Sequence, residues 1–283
     1  MILSATFDEQ ILKQLSIDEW LHYCKKQHVQ SLEFSPDPSV LPFEVYKRLL
    51  NKQRSLDIST TFHVPYFAKS VDPYAEAYDL AYARLSPLDF KDKYTQLFQY
   101  IDALEQPSIL TLHGAKRLKT DGENACLTSK DNTWFALEKL LNDVNRYALP
   151  LTLCIELSGS ESPTYLTTRE EVLETIEKFA GAPLKICWDI THDYALNPSK
   201  EKPSEKFIKH IEHVHIHGIS DQKKKHFDLE KSSVNFDSAI EILHEISYKN
   251  AIVLEILMHT VANPKNYLKS LKNDLHLLTN LIK

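Results

Sequence analysis

Eight short runs of β-type residues recur along the chain, and amphipathic segments with helical spacing separate them. Runs rich in Val, Ile, Thr and aromatic residues predict strands, whereas apolar residues at intervals of three and four predict helices. The predicted strands cover residues 2–7, 31–35, 58–64, 108–114, 150–157, 184–190, 213–219 and 251–257. The predicted helices follow them in turn, over 17–27, 43–53, 90–104, 132–148, 169–180, 204–211, 236–247 and 263–282.

This alternating order is typical of parallel βα units. Eight such units within 283 residues predict an α/β fold, a (β/α)8 TIM barrel that occupies 1–283 as a single domain, with a doubly wound open sheet as the alternative. Two longer connections, at 66–86 and 115–131, would lie on the C-terminal face of the barrel, where active sites of this fold are built. Thr168 and Glu171 predict a capping box at the start of the fifth helix.

Polar side chains end six consecutive predicted strands on the inward face, if the apolar residues between them point outward. Every one of these is His, Asp or Glu, although those three types make up less than a fifth of the chain. They are His63, His113, Glu156, Asp189, the strand-seven trio His213, His215 and His217, and Glu255. Two further histidines follow in predicted loops, His192 in WDITH after the sixth strand and His226 in KKKHFDL after the seventh.

The barrel geometry would bring these side chains to one mouth. Burying them without partners would be costly, and a bound metal removes that cost. Imidazole and carboxylate ligands suit Zn²⁺, Mn²⁺ and Fe²⁺. One or two of the strand-seven imidazoles would then be ligands, and the deeper His213 would orient a ligand by hydrogen bonding. A satisfied polar network, or a barrel that has lost its activity, is the competing interpretation.

Charge and composition argue against several classes of protein, among them general nucleic-acid binders, membrane proteins and secreted proteins. The net charge of −6 argues against general nucleic-acid binding, which needs concentrated Lys and Arg. No apolar run reaches the roughly 20 residues that span a membrane, and an acidic pair replaces the positive charge of a signal peptide. Four cysteines without C-x-x-C spacing predict free thiols. We therefore expect a cytoplasmic protein, with an oligomeric state that the sequence leaves open.

Taken in order, these motifs resemble the xylose isomerase-like TIM barrel superfamily, in particular its endonuclease IV branch, AP endonuclease family 2. FHVPYF, LTLHGA, CIELSG, WDITH and VLEI carry the resemblance, which spans essentially the whole chain. It implies two or three divalent metal ions, zinc by preference and manganese as the alternative. The implied ligands are His63, His113 and Glu156 for one ion, Glu156, Asp189, His215 and Glu255 for a second, and His192 with His226 for a third.

The loop after the seventh strand departs from that branch. Lys224 stands where the branch has an aspartate two residues before the loop histidine, so a third ion would need another ligand such as Asp228. The segment HIHGISDQKKKHFDL is also similar to the H-x-H-G and H-x-x-L pattern of cobamide-remodelling phosphodiesterases, with Lys225 in place of their aspartate. That similarity implies cleavage of the phosphodiester in the cobamide nucleotide loop.

The favoured hypothesis is a metal-dependent phosphodiesterase that acts on a small-molecule substrate. Its predicted catalytic residues are Glu156, His192, His226 and Glu255, and its predicted substrate or ligand-orienting residues are Tyr66, His213, His217 and Lys224. The alternative is a sugar or sugar phosphate isomerase or epimerase around one manganese-type ion, although residues 216–230 lack the arginine that epimerases use. An abasic-site endonuclease fits the ligand set but not the net charge, and a non-enzymatic scaffold would not need the ligands.

Overall fold

The computed structural model describes residues 1–35, 42–64, 97–115, 125–159, 164–196, 201–222, 224–232 and 234–283. Tyr66 and the whole of the predicted connection at 66–86 lie outside the described residues, as does Lys223.

Eight parallel strands close into a barrel in the order β1 to β8, and β8 pairs with β1. This confirms all eight predicted strands and the TIM barrel, and it excludes the open sheet. The strands are β1 Ile2–Thr6, β2 Ser31–Phe34, β3 Ser59–His63, β4 Ser108–Leu112, β5 Leu151–Glu156, β6 Leu184–Asp189, β7 Ile211–Ile216 and β8 Ala251–Leu254.

Helices connect the strands and cover the outside of the barrel. They are α1 Ile17–Lys26, α2 Phe43–Ser55, α3 (described over 97–102), α4 Ala125–Arg146, α5 Arg169–Lys178, α6 Ile190–Leu196, α7 Glu205–Ile208, α8 Asp237–Glu245 and α9 Tyr267–Leu281. Within the described ranges, no helix is long and apolar enough to cross a membrane.

Three predictions about the connections need correction. Helix α4 begins at Ala125, so the predicted connection at 115–131 gives way to helix over its last seven residues. Helix α6 begins directly after Asp189, and His192 therefore lies in a first helical turn and not in a loop. At α5, Thr168 Oγ1 accepts from Glu171 N as predicted, but the Glu171 carboxylate accepts from Thr167 N instead of Thr168 N.

The apolar core lies between the barrel and the helices, because alternate strand residues point outward against the helices. In β5 these are Leu153 and Ile155, both fully buried within the core. The inward face carries polar groups. The last inward residue of each strand lies at the C-terminal mouth of the barrel. Cys154 and Cys187 are buried free thiols, as predicted.

Candidate metal centre

The Glu156 carboxylate, at the end of β5, is the centre of the polar cluster. Its Oε2 lies 3.2 Å from His63 Nε2, 3.3 Å from His113 Nε2 and 3.5 Å from His215 Nδ1. Its Oε1 lies 3.5 Å from His192 Nδ1. Four imidazoles from four parts of the chain therefore converge on one buried carboxylate.

Two groups of candidate ligand atoms made up of imidazole and carboxylate alone share Glu156, and a further group, with Cys187 and His215, also includes it. One group is His63, His113 and Glu156, and the ligand atoms lie within 4.8 Å of one another. The other is Glu156, Asp189, His215 and Glu255, with the same spacing limit and with all four residues buried. The structure thus brings together the residues that the sequence resemblance assigns to two metal ions.

A third group consists of His192, His217 and His226. His217 Nε2 lies 3.5 Å from Asp189 Oδ2, and His226 Nδ1 lies 3.5 Å from Glu255 Oε2, so this group adjoins the second. Asp228, suggested from the sequence as a further ligand here, is not in this group among the described residues. Its Oδ2 accepts a hydrogen bond from Ala262 N at 2.7 Å, and His217 joins His192 and His226.

The loop after β7 returns to the mouth through a short antiparallel bridge between Gly218 and Phe227. A Cβ on Gly218 would overlap the carbonyl oxygen of Asp228, so only glycine permits this approach. His226 adopts a left-handed backbone with φ 52°, and its ring lies 4.4 Å from that of His217 between centroids. The strained backbone marks a position that the surrounding structure fixes.

Within the described residues, the side chain of Lys224 makes no contact with this cluster. Its side chain is exposed, and Nζ donates to the carbonyl oxygen of His259 at 3.1 Å.

Several buried atoms at the centre have no hydrogen-bond partner within the part of the chain that the structure describes. They are Asp189 Oδ2, His192 Nδ1 and Nε2, His215 Nδ1, His217 Nε2 and Glu255 Oε2. A buried polar atom without a partner costs about 1–3 kcal/mol. Imidazole nitrogens and carboxylate oxygens that point at one another without bonding are the donor set that zinc and similar ions bind, so these residues fit metal ions.

The protonation states also suit metal binding. Burial alone would raise the pKa of Glu156, but the imidazoles of His113 and His215 hold that pKa well below its usual range. Burial likewise opposes ionisation of Asp189, and His192 and His217 lower its pKa. Ligand carboxylates must be ionised to bind a metal, and these two are.

Two other groups at the centre stay neutral. Burial lowers the pKa of His226 to about 4, which leaves its ring unprotonated near neutral pH. Cys187 lies near Glu156 and His215, but burial raises the pKa of its thiol.

Sequence reasoning missed Glu33, a fully buried residue of β2. An ionised carboxylate only accepts hydrogen bonds, so His213 Nε2 donates to Glu33 at 2.8 Å and His215 Nε2 donates at 3.2 Å. This turns His215 Nδ1 toward Glu156 and Glu255. The strand alternation could have found Glu33, because it lies between Leu32 and Phe34 and so shares the inward face. It lies one inward position below Ser35, the end of the predicted strand 31–35, and is therefore not a strand-end residue.

Several solved structures are similar to this barrel over nearly the whole chain. None of the curated proteins matches the sequence significantly. A D-tagatose 3-epimerase-like protein has a TM-score of 0.72 at 18% identity, with 100% of both chains covered. An AP endonuclease, family 2, from Brucella melitensis has a TM-score of 0.70 at 13% identity, covering 90% of this chain and 92% of that one. A 3-keto-D-glucoside 4-epimerase from E. coli has a TM-score of 0.70 at 12% identity, with 99% of both chains covered.

These identities show a shared fold alone. The sequence itself matches the model of a protein family over residues 22–277, which is most of the chain. The protein therefore belongs to the xylose isomerase-like TIM barrel family.

Proposed function

We propose that this protein is a metal-dependent phosphodiesterase, which hydrolyses a small-molecule phosphodiester with two or three divalent ions, zinc by preference. The observation that carries the proposal is the sharing of Glu156 between two groups of buried ligand atoms. A site for one ion needs only Glu156, Asp189, His215 and Glu255, and it gives no reason for His63 and His113 to converge on the same carboxylate.

Divalent ions held by these residues would neutralise charge on phosphoryl oxygens and lower the pKa of a water nucleophile. His63 and His113 would hold one ion, Asp189, His215 and Glu255 the other, and Glu156 both. His192, His217 and His226 would hold a third ion or contact the substrate.

Exposure separates the residues that bind ions from those that can reach a substrate. The side chains of Glu156 and Asp189 are 1% and 0% exposed, so in a phosphodiesterase they would bind the ions and not the substrate. The side chains of Glu255 and His226 are 11% and 26% exposed, and they face each other across 3.5 Å. A substrate would therefore approach on the side of His226, the most exposed of these side chains, where the neutral ring could hold a leaving oxygen.

A sugar epimerase is the second candidate. The four-residue group around His215 is complete by itself for one ion, and Glu156 with Glu255 would supply a pair of carboxylates for acid and base steps. Six of the similar solved structures, including two of the three named above, are described as epimerases or epimerase-like. The two candidates differ in their need for His63 and His113.

The test is an activity screen of metal-loaded protein, with bis(4-nitrophenyl) phosphate and a cobamide as phosphodiesters and with ketoses in deuterated water for epimerisation. We expect phosphodiester hydrolysis, and we expect His63→Asn to abolish it. His22→Asn, an exposed histidine of α1, is the matched control. Deuterium exchange into a ketose that survives His63→Asn would contradict the proposal and support the epimerase.

A further inference from the structure

Gly159 and Lys225 meet at the rim of the metal centre. Gly159 follows Glu156 by three residues, and a Cβ there would overlap Lys225 Nζ and lie 3.1 Å from His192 Cδ2. The missing side chain at position 159 is therefore what allows the ammonium group to lie against the end of β5. Lys225 Nζ and the His192 ring occupy the two sides of one small recess.

The ammonium group of Lys225 has no ion pair and no hydrogen bond with any described residue, although its side chain is half-buried. Its neighbour Lys224 is exposed and donates to the carbonyl oxygen of His259. A cation that is partly removed from water and left without a partner is costly, and an anionic ligand offsets that cost through charge-assisted hydrogen bonds.

The backbone on both sides of Lys225 is fixed before any ligand binds. Gly218 N donates to Phe227 O at 2.9 Å, and Phe227 N donates to Gly218 O at 3.1 Å. Ser220 N donates to Lys224 O at 3.0 Å, and Lys224 N donates to Ser220 Oγ at 3.0 Å. A lysine on a loop that is already held in place loses less entropy when it binds a ligand.

We infer that Lys225, seated in the recess over Gly159, is a binding residue for a phosphoryl oxygen of an anionic substrate. This deepens the proposed function and rests on it, because a phosphodiester carries a negative charge and a free sugar does not. The substrate contact predicted for Lys224 stays a prediction, and Lys225 is the adjacent lysine that lies against Gly159 and His192.

The experiment measures the affinity of inorganic phosphate for the metal-loaded full chain by isothermal titration calorimetry. The variants are Lys225→Met, Lys225→Arg and Gly159→Ala, and the matched control is Lys231→Met, which removes an exposed lysine from the 3-10 helix Leu229–Lys231. Metal content per chain is measured in every sample, so that a loss of phosphate binding is not a loss of metal.

We expect Lys225→Met to weaken phosphate binding by roughly 10- to 100-fold, the size of a charge-assisted hydrogen bond. Lys225→Arg should retain most of the affinity, Gly159→Ala should lose part of it because the ammonium must move, and Lys231→Met should match the wild type. Unchanged binding in Lys225→Met, or an equal loss in Lys231→Met, would overturn the inference.

The two proposals fail separately. If the wild type hydrolyses phosphodiesters while Lys225→Met binds phosphate normally, the proposed function stands and the role of Lys225 is wrong. If Lys225→Met alone weakens phosphate binding while no phosphodiester is hydrolysed, the anion site stands and the phosphodiesterase proposal is wrong.

Discussion

Two clusters of imidazole and carboxylate lie at different depths in the barrel, and they are satisfied differently. In the deeper cluster, Glu33 accepts hydrogen bonds from His213 and His215 at 2.8 and 3.2 Å. The outer cluster consists of the candidate ligands around Glu156, namely Asp189, Glu255 and the histidines that face them. Its Asp189 Oδ2 and Glu255 Oε2 lie at least 3.2 Å from the nearest imidazole nitrogens, and neither oxygen has a hydrogen-bond partner among the described residues.

The deeper cluster is largely complete in the protein alone, and the outer cluster is not. A buried polar network is stable when its members satisfy one another. In the deeper cluster, His213 Nδ1 is the one atom besides His215 Nδ1 that lacks a hydrogen-bond partner among the described residues, although Glu33, His213 and His215 are also spaced closely enough to hold a metal ion. In the outer cluster, candidate ligand atoms face one another without bonding, and a divalent ion between them would bind them. His215 belongs to both, because its Nε2 faces Glu33 and its Nδ1 faces Glu156 and Glu255. The deeper cluster thus acts as the support of the outer one.

The largest effect is expected from Glu156→Gln, which breaks the outer cluster at its shared ligand. The amide keeps the shape of the carboxylate and removes the charge that two ions would share. We expect bound metal to fall and hydrolysis to drop by roughly 10³-fold or more, since ion binding contributes several kcal/mol to this chemistry. Metal analysis and steady-state kinetics check this, with circular dichroism as the control for folding. Full activity in the variant would contradict the bridging role.

A smaller effect is expected from Glu33→Gln, which breaks the deeper cluster and leaves every outer residue in place. His215 loses the carboxylate that orients it, and such supporting contacts contribute roughly 10- to 100-fold to metal affinity. Competition with a chelator of known affinity measures the change, and Glu44→Gln, an exposed residue of α2, is the control. Equal metal affinity in Glu33→Gln and the wild type would mean that the deeper cluster is structural only.

The sequence predicted the fold well because strand and helix patterns are local. It missed α6 because Ile190–Leu196 has only seven residues, too few for a helical period to stand out, and it started α4 late because polar residues at 128–132 follow the first turn. The same alternation located the strand-end residues from His63 to Glu255. The place of His217 in the third group depends on how the loop after β7 folds back, which no local pattern encodes.

The smallest effect concerns Asp274 of α9, a carboxylate outside both clusters whose partners are backbone groups. It accepts from Leu229 N at 2.9 Å and Glu230 N at 3.0 Å, yet burial raises its pKa to about 7, with nearby Asp228 and Glu230 adding to the shift. An unfolded aspartate titrates near 3.9, so the folded state binds more protons between about pH 4 and pH 7. This group therefore lowers the free energy of unfolding as the pH rises through that window.

Asp274→Asn should remove that part of the pH dependence. Urea unfolding of both proteins at about pH 5 and pH 8 gives the difference in unfolding free energy between the variant and the wild type. We expect the difference to shift in favour of the variant at the higher pH. A difference that stays constant with pH would show that Asp274 is ionised throughout and that its two backbone hydrogen bonds outweigh its burial.

The most direct test of the account is the metal content of untagged wild-type protein purified without added metal, measured by elemental analysis against chain concentration. The account predicts two or three zinc-type ions per chain, because two groups of buried ligand atoms share Glu156 and a third adjoins them. A single ion would favour the epimerase candidate. No ion, with none taken up on addition, would contradict the central claim that the outer cluster is a metal centre.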